Sequence, residues 1–337
     1  MLVEKLIIIS CVIGASLGVA MYSTLLERKL AAWLQDRIGP NRAGPGGMLQ
    51  PLADGVKLIF KEEFIPANAN KFLFVLGPSL AMLLACMGGA VIPWGSTLEI
   101  ADSIIPLQIT NINIGVLYMF GVVSLGAYGI MIGGWASNNK YSLMGAIRAA
   151  SQIISYELAM GLSLIALIMM SGSLSLNDIV AGQHNGHWNI FFQPLGFLIF
   201  LVCAFAETNR APFDLPECET ELIGGYHTEY GSMKLGFYLF AEYVNMFISS
   251  ALMSTLYFGG YDIPFIDHLG LAHNVVTILG TAFLFAKIGG FIFLFMWVRW
   301  TLPRFRYDQL MNLGWKILIP LALLNLIITA VVGLLMN

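Results

Sequence analysis

Eight stretches of this chain are apolar for about 18 to 24 residues each, at about 6–26, 72–94, 114–136, 149–171, 189–206, 235–258, 275–298 and 317–336. A helix needs roughly 20 apolar residues to cross the ~30 Å hydrocarbon core of a bilayer. Inside that core every backbone polar group must be satisfied internally, and uninterrupted apolar runs achieve this as helices. With 58% hydrophobic and 11% charged residues, soluble folds are excluded. The expected architecture is an all-α integral membrane protein, one polytopic domain over 1–337, with about eight transmembrane helices. The lipid bilayer is its first partner, and no nucleic acid is expected.

Basic residues set the orientation. The connectors 27–71, 137–148, 207–234 and 299–316 hold Arg28, Lys29, Arg37, Arg42, Lys57, Lys61, Lys71, Lys140, Arg148, Arg210, Lys234, Arg299, Arg304, Arg306 and Lys316, whereas the connectors after helices two, four and six hold none. By the positive-inside rule the first group is cytoplasmic, and both termini face the periplasm. Trp94, Trp135, Trp188, Trp297, Trp300 and Trp315 lie near span ends, where an apolar ring with a polar edge anchors at the headgroups.

In the first connector, Gly39-Pro40-Asn41-Arg42-Ala43-Gly44-Pro45-Gly46-Gly47 breaks the emerging helix. From Leu49 to Phe64, Leu52, Val56, Ile59 and Phe60 then fall at helical spacing beside Asp54, Lys57, Lys61, Glu62 and Glu63. That pattern predicts an amphipathic cytoplasmic helix in the headgroup plane, either an anchor or one wall of a lateral opening for a lipid-soluble substrate. Between spans five and six runs a long acidic loop with six carboxylates, at Glu207, Asp214, Glu217, Glu219, Glu221 and Glu229. In a chain so poor in charge, such a connector is a working surface.

Three acids stand in or at the end of spans. Glu157 and Glu242 lie about 8 and 7 residues into helices four and six, roughly 10 to 12 Å below the cytoplasmic edge. Glu207 ends helix five, and Tyr238, Asn245 and Ser249 share the Glu242 face. A carboxylate in hydrocarbon is costly, so each is protonated, paired or hydrated; either the three form a path that loads and releases protons, or they make static bonds between helices. Lys287, about 18 Å along its helix from Arg299, is a counter-charge or a gate.

Cys11, Cys86 and Cys203 read as small buried hydrophobes, and Cys218 stands alone among acids. No paired cysteine spacing occurs, and His184, His187, His227, His268 and His273 all fall in connectors, so the chain is expected to carry no redox centre, metal or cofactor of its own.

Three motifs resemble a known family. The first is Glu27-Arg28-Lys29 with Gln35, Arg37, Gly39-Pro40-Asn41-Arg42, Leu49-Gln50-Pro51 and Ala53-Asp54; the second runs from Ala206-Glu207-Thr208-Asn209-Arg210-Ala211-Pro212-Phe213-Asp214-Leu215 through Glu217, Glu219, Glu221, Glu229 and Tyr230; the third is Arg299, Pro303-Arg304-Phe305-Arg306-Tyr307-Asp308-Gln309-Leu310-Met311 and Gly314-Trp315-Lys316. In this order they resemble the H-type membrane subunit of respiratory complex I, the NADH-quinone oxidoreductase. The resemblance implies a protein that joins the hydrophilic redox arm to the membrane arm and shares a chamber where ubiquinone or menaquinone, as substrate, meets the terminal iron-sulfur cluster of a neighbour. FMN and iron-sulfur clusters belong to partner subunits, and small membrane subunits and antiporter-like subunits complete the partners. Carried over, Arg28, Arg37, Asp54, Arg299 and Arg304 line or support the quinone passage. Asp214, Glu217, Glu219 and Glu221 form the acidic coupling loop, and Glu157, Glu207 and Glu242 open the proton path. The expected location is the bacterial inner (plasma) membrane. Two alternatives stay open: a related subunit of a membrane-bound hydrogenase, and a stand-alone secondary ion transporter using Glu157, Glu242 and Lys287.

Overall fold

Thirteen α-helices and one short hairpin follow one another among the residues described in the computed structural model, 2–100, 103–216, 219–266 and 270–336. They are α1 (Leu2–Leu34), α2 (Gln50–Phe60), α3 (Lys71–Met87), β1 (Thr97–Ile100), β2 (Ser103–Pro106), α4 (Gly115–Ala136), α5 (Lys140–Ser171), α6 (Leu176–Gly182) and α7 (Asn189–Phe192), then α8 (Pro194–Glu207), α9 (Glu219–Leu222), α10 (Ser232–Tyr257), α11 (His273–Thr301), α12 (Tyr307–Asn312) and α13 (Ile319–Met336). Among the described residues, seven helices are long and apolar enough to cross a membrane. The eighth, α8, has 14 residues and spans about 21 Å. The chain is an all-α membrane protein.

Local chemistry sets several helix ends. The side chains of Asn70 and Asn139 accept from Leu73 N and Tyr141 N and so satisfy open amides at the starts of α3 and α5. Gly172, at φ +71°, closes α5 in a left-handed turn. Pro194 starts α8 where a missing amide costs nothing, and Gln193 before it donates to Thr329 and accepts from Asn325 of α13. One π-helical turn, Leu313–Leu318, joins α12 to α13.

Helices α3, α4, α5, α8 and α10 enclose the core. A Cβ on Gly129 would sit 2.9 Å from the backbone of Ala81, and one on Gly77 2.9 Å from Gly133, so α3 and α4 approach as closely as glycine permits. Gly14 and Gly18 of α1, whose spacing also suggests packing, meet nothing within 4 Å. Helix α2 carries its apolar stripe outward, with Leu52, Val56, Ile59 and Phe60 all exposed, as a helix lying on a membrane surface requires.

Two local expectations change. Trp94 is buried, stacked on Phe247 and Phe285, with its indole donating to Gly89 O, instead of sitting at a headgroup. Cys11 is exposed on the outside of α1, while Cys203 is fully buried. The Lys287 ammonium donates to the carbonyls of Phe258, Gly260 and Asp262 at 2.6, 2.8 and 3.3 Å, at the end of α10, with Asp262 within electrostatic reach. Cys218 and His268 lie outside the described residues.

Candidate functional site

Four segments converge on one buried carboxylate. Glu27 near the end of α1 accepts from Arg210 (3.1 Å) and from the Tyr243 hydroxyl of α10 (2.7 Å) on one oxygen, and pairs with Arg299 of α11 (2.6 Å) on the other. The Arg210 guanidinium lies over the Tyr243 ring at 4.1 Å and is 4% exposed. Two cations share one anion here, so the cluster keeps a net positive charge at the loop end of the bundle. Burial pulls the Arg210 pKa down, but Tyr243, Glu27 and Glu242 more than reverse this and leave it raised. Only part of this cluster is legible in the sequence: Arg299 as a quinone-passage residue, Glu27 as a helix continuation and Arg210 as part of a loop. Tyr243 escapes because it follows Glu242 and so points about 100° away from the polar face of α10.

The other basic candidates are distributed more widely. Arg28 pairs with Asp54 at 2.7 Å, tying α1 to α2, and Gln50 donates to the second Asp54 oxygen at 3.1 Å. Arg304 pairs with the buried Asp214 at 2.7 Å. The Arg37 side chain bonds to Gln35 within its own exposed turn, at 2.8 Å, and among the described residues makes no ion pair with the other candidates. Beside the Glu27 cluster, between α1, α10 and α11, runs an apolar groove of about 540 Å³; Leu26 and Leu30, which flank Glu27, and Met296, one turn before Arg299, line it together with Lys29 and Trp33. Its shape and lining suit a lipid-soluble molecule.

The acidic loop folds inward. Gln152 of α5 donates to Ala206 O and Phe213 O at 2.7 and 2.9 Å, and Phe305 N donates to Pro212 O at 3.2 Å, so the segment 206–215 is clamped between α5 and the segment 302–306. Glu221 pairs with Arg148 at 2.6 Å and Glu229 accepts from Asn139 at 2.6 Å. Glu217 lies outside the described residues, and only the backbone of Glu219, at the start of α9, is described.

The membrane acids meet. Glu207 and Glu242 line one internal cavity of about 50 Å³ between α3, α4, α8 and α10, together with Tyr226, Tyr238 and Asn245. A second, about 20 Å³, continues from Glu207 and Asn245 to Ser249. A water needs ~10–15 Å³ of such space and polar partners, so together these cavities have room for a few waters against the carboxylates. Glu242 accepts from the Tyr226 hydroxyl at 3.1 Å. Glu157 accepts from Ser124 of α4 and lies within electrostatic reach of Glu207. Among the described residues, no group of three or more histidine, cysteine or acidic side chains is placed to hold a metal ion.

Comparison with known proteins gives consistent results. The family model described as NADH dehydrogenase matches residues 6–330. The chain is 72% identical to an NADH-quinone oxidoreductase H subunit of Cytophaga hutchinsonii, over 97% of this chain and 96% of that one. It is 64% identical to the corresponding NADH-quinone oxidoreductase H subunit of Flavobacterium psychrophilum, over 98% and 97%. To that of Thermomicrobium roseum it is 50% identical, over 94% and 92%.

Proposed function

Because this chain belongs to the family of NADH-quinone oxidoreductase H subunits, and is thus a membrane component of that enzyme complex, we propose that it couples quinone chemistry at the Glu27 cluster to proton movement at the Glu207 and Glu242 cavities. The relatives' names do not favour the hydrogenase or transporter alternatives. The observation that carries the reading is the shared cavity: two carboxylates from different helices face one water-sized space, with Glu157 beside them.

In this reading a quinone, ubiquinone or menaquinone, enters along the groove beside Lys29 and Trp33, with Arg28, Arg37, Asp54, Arg299 and Arg304 lining or supporting its passage. The hydrophilic arm, bearing FMN and iron-sulfur clusters, supplies electrons from above the loop. Electrons reaching the quinone place negative charge near the Arg299–Glu27–Arg210 cluster before protons neutralise it. Arg210 feels both Glu27 and Glu242, so a shift in its position or partners changes the field at Glu242. Glu242, Glu207 and Glu157 then exchange protons through the cavity waters toward the small and antiporter-like membrane subunits, while Asp214, Glu217, Glu219 and Glu221 act as the acidic coupling loop. The basic connectors, on the positive-inside rule, face the cytoplasm of a bacterial plasma membrane, with both termini periplasmic.

The test is to make Glu157→Gln, Glu207→Gln and Glu242→Gln, singly and together, in the assembled complex and measure protons pumped per NADH. The triple variant should reduce quinone while pumping fewer protons per electron pair. An unchanged ratio in an assembled triple variant refutes the proton path.

A further inference from the structure

Toward the face of the bundle that carries the β1–β2 hairpin, the lining of the acid cavities turns apolar, although the Ser163 and Tyr257 side chains beyond it are also fully buried. The stripe on α10 runs Tyr238, Glu242, Asn245, Ser249, and one turn further the smaller cavity ends on Leu252, Met160 of α5 and Phe200 of α8. Behind this floor the packing is aromatic: Tyr257 lies against Phe197 at 5.3 Å and Phe200 at 5.7 Å, and Phe258 lies against Phe197 at 5.4 Å. The hydroxyls of Ser250, Ser254 and Thr255 donate back into the α10 backbone at 2.7, 2.8 and 2.8 Å, so none is turned toward the floor as a relay. About 13 Å beyond Ser249 along α10, the Lys287 ammonium sits on the Phe258 and Gly260 carbonyls.

We propose that Leu252, Met160 and Phe200 form a proton seal, which blocks the acid cavity from the hairpin face and forces protons to leave sideways into a neighbouring chain of the complex. This rests on the proton-path reading above. A proton crosses a protein along water or ionisable groups, and an apolar floor offers neither. A path open at both faces would short-circuit the gradient that the complex builds, so a bundle with hydrated acids inside it needs such a closure.

The experiment uses the whole complex in proteoliposomes. An imposed pH step, without NADH, reads passive proton leak through a trapped pH dye, and NADH-driven quinone reduction confirms an intact redox path. Leu252→Asn should keep quinone reduction, raise the leak roughly tenfold, as lowering a barrier by about 1.4 kcal/mol does, and lose that extra leak when combined with Glu242→Gln. Should Leu252→Asn not assemble, Leu252→Ala is read in the same assay. An unchanged leak, or one that survives Glu242→Gln, overturns the seal. Pumping by the triple variant Glu157→Gln, Glu207→Gln and Glu242→Gln separates the two ideas: an unaffected ratio sinks the proton path, whereas a reduced ratio with no leak in the Leu252 variants sinks the seal alone.

Discussion

Replacing Glu27 with Gln should cost far more than replacing Asp54 with Asn, although each removes one carboxylate from an arginine pair. Glu27 serves Arg210, Arg299 and Tyr243, and its side chain is 8% exposed. In Glu27→Gln the nearly dry Arg210 guanidinium loses its anion while Arg299, 31% exposed, still faces it. Breaking a buried pair on one side costs about 3–5 kcal/mol. By contrast, Arg28 and Asp54 are 50% and 35% exposed, and such pairs contribute about 0–1 kcal/mol. At about 2.1 cal/mol/K per residue, 4 kcal/mol lowers the melting point of 337 residues by about 6 °C, against about 1 °C for the surface pair. The assay is thermal inactivation of NADH-driven quinone reduction in purified complex, with Glu27→Gln, Asp54→Asn, Arg299→Gln and the double variant Glu27→Gln/Arg299→Gln. The double variant should recover part of the loss, because removing the second cation relieves the repulsion on Arg210. Equal midpoints for Glu27→Gln and Asp54→Asn would refute the burial argument, and a double variant worse than the sum of its singles would refute the shared-anion picture.

Gln152→Leu should loosen the inward fold of the acidic loop: it removes the Gln152 hydrogen bonds to Ala206 O and Phe213 O, which keep their backbone donors Asn209 N and Leu215 N, at about 0.5–1.5 kcal/mol each, and limited proteolysis within 206–231 should accelerate. Unchanged cleavage would mean that the clamp at residues 302–306 holds the loop alone. Gly133→Ala should prevent stable assembly, since its new methyl would land on the Tyr238 hydroxyl and 3.0 Å from that of Tyr230, while Gly14→Ala and Gly18→Ala, which meet nothing, should assemble at parental yield on native gels.

The span pattern is legible in the sequence because crossing lipid demands length and apolarity, and both are local properties. What escapes depends on contacts between distant residues. The hairpin is one case: Glu99 N donates to Asn274 and Asn274 donates back to Glu99 O, at 2.9 and 2.8 Å, so α11 pins a strand whose own sequence reads as an ordinary apolar connector. The burial of Trp94 is another, since its stacking partners lie on α10 and α11. For the candidate site, the three acids are visible as charges out of place, and Tyr238, Asn245 and Ser249 as their companions on one helical face. The Glu27 anchor is not, because its partners come from the turn after α8, from α10 and from α11, and no spacing rule joins positions 27, 210, 243 and 299. A charged motif tells which residues matter and leaves open which of them touch.

The turn after α8 is where the two halves of the site share one piece of backbone. Glu207 faces the water-sized cavity, and Arg210, three positions later, clasps Glu27. Between them Thr208 donates to the carbonyls of Ala204 and Phe205, so this turn is bonded to α8 and cannot slide independently of it. In the coupling proposed above, Arg210 following a new negative charge toward the Arg299 side would pull on the backbone that carries Glu207, and the same motion would alter its field on Glu242. At about 4 Å and an effective dielectric constant near 20, one unit charge is felt at about 4 kcal/mol, roughly three pKa units' worth of bias on a carboxylate. That scale is sufficient to move a proton between neighbouring acids, with no need for a large motion of the bundle. In the coupling proposed above, an acidic loop folded inward and clamped by Gln152, rather than left free in solvent, keeps this lever short.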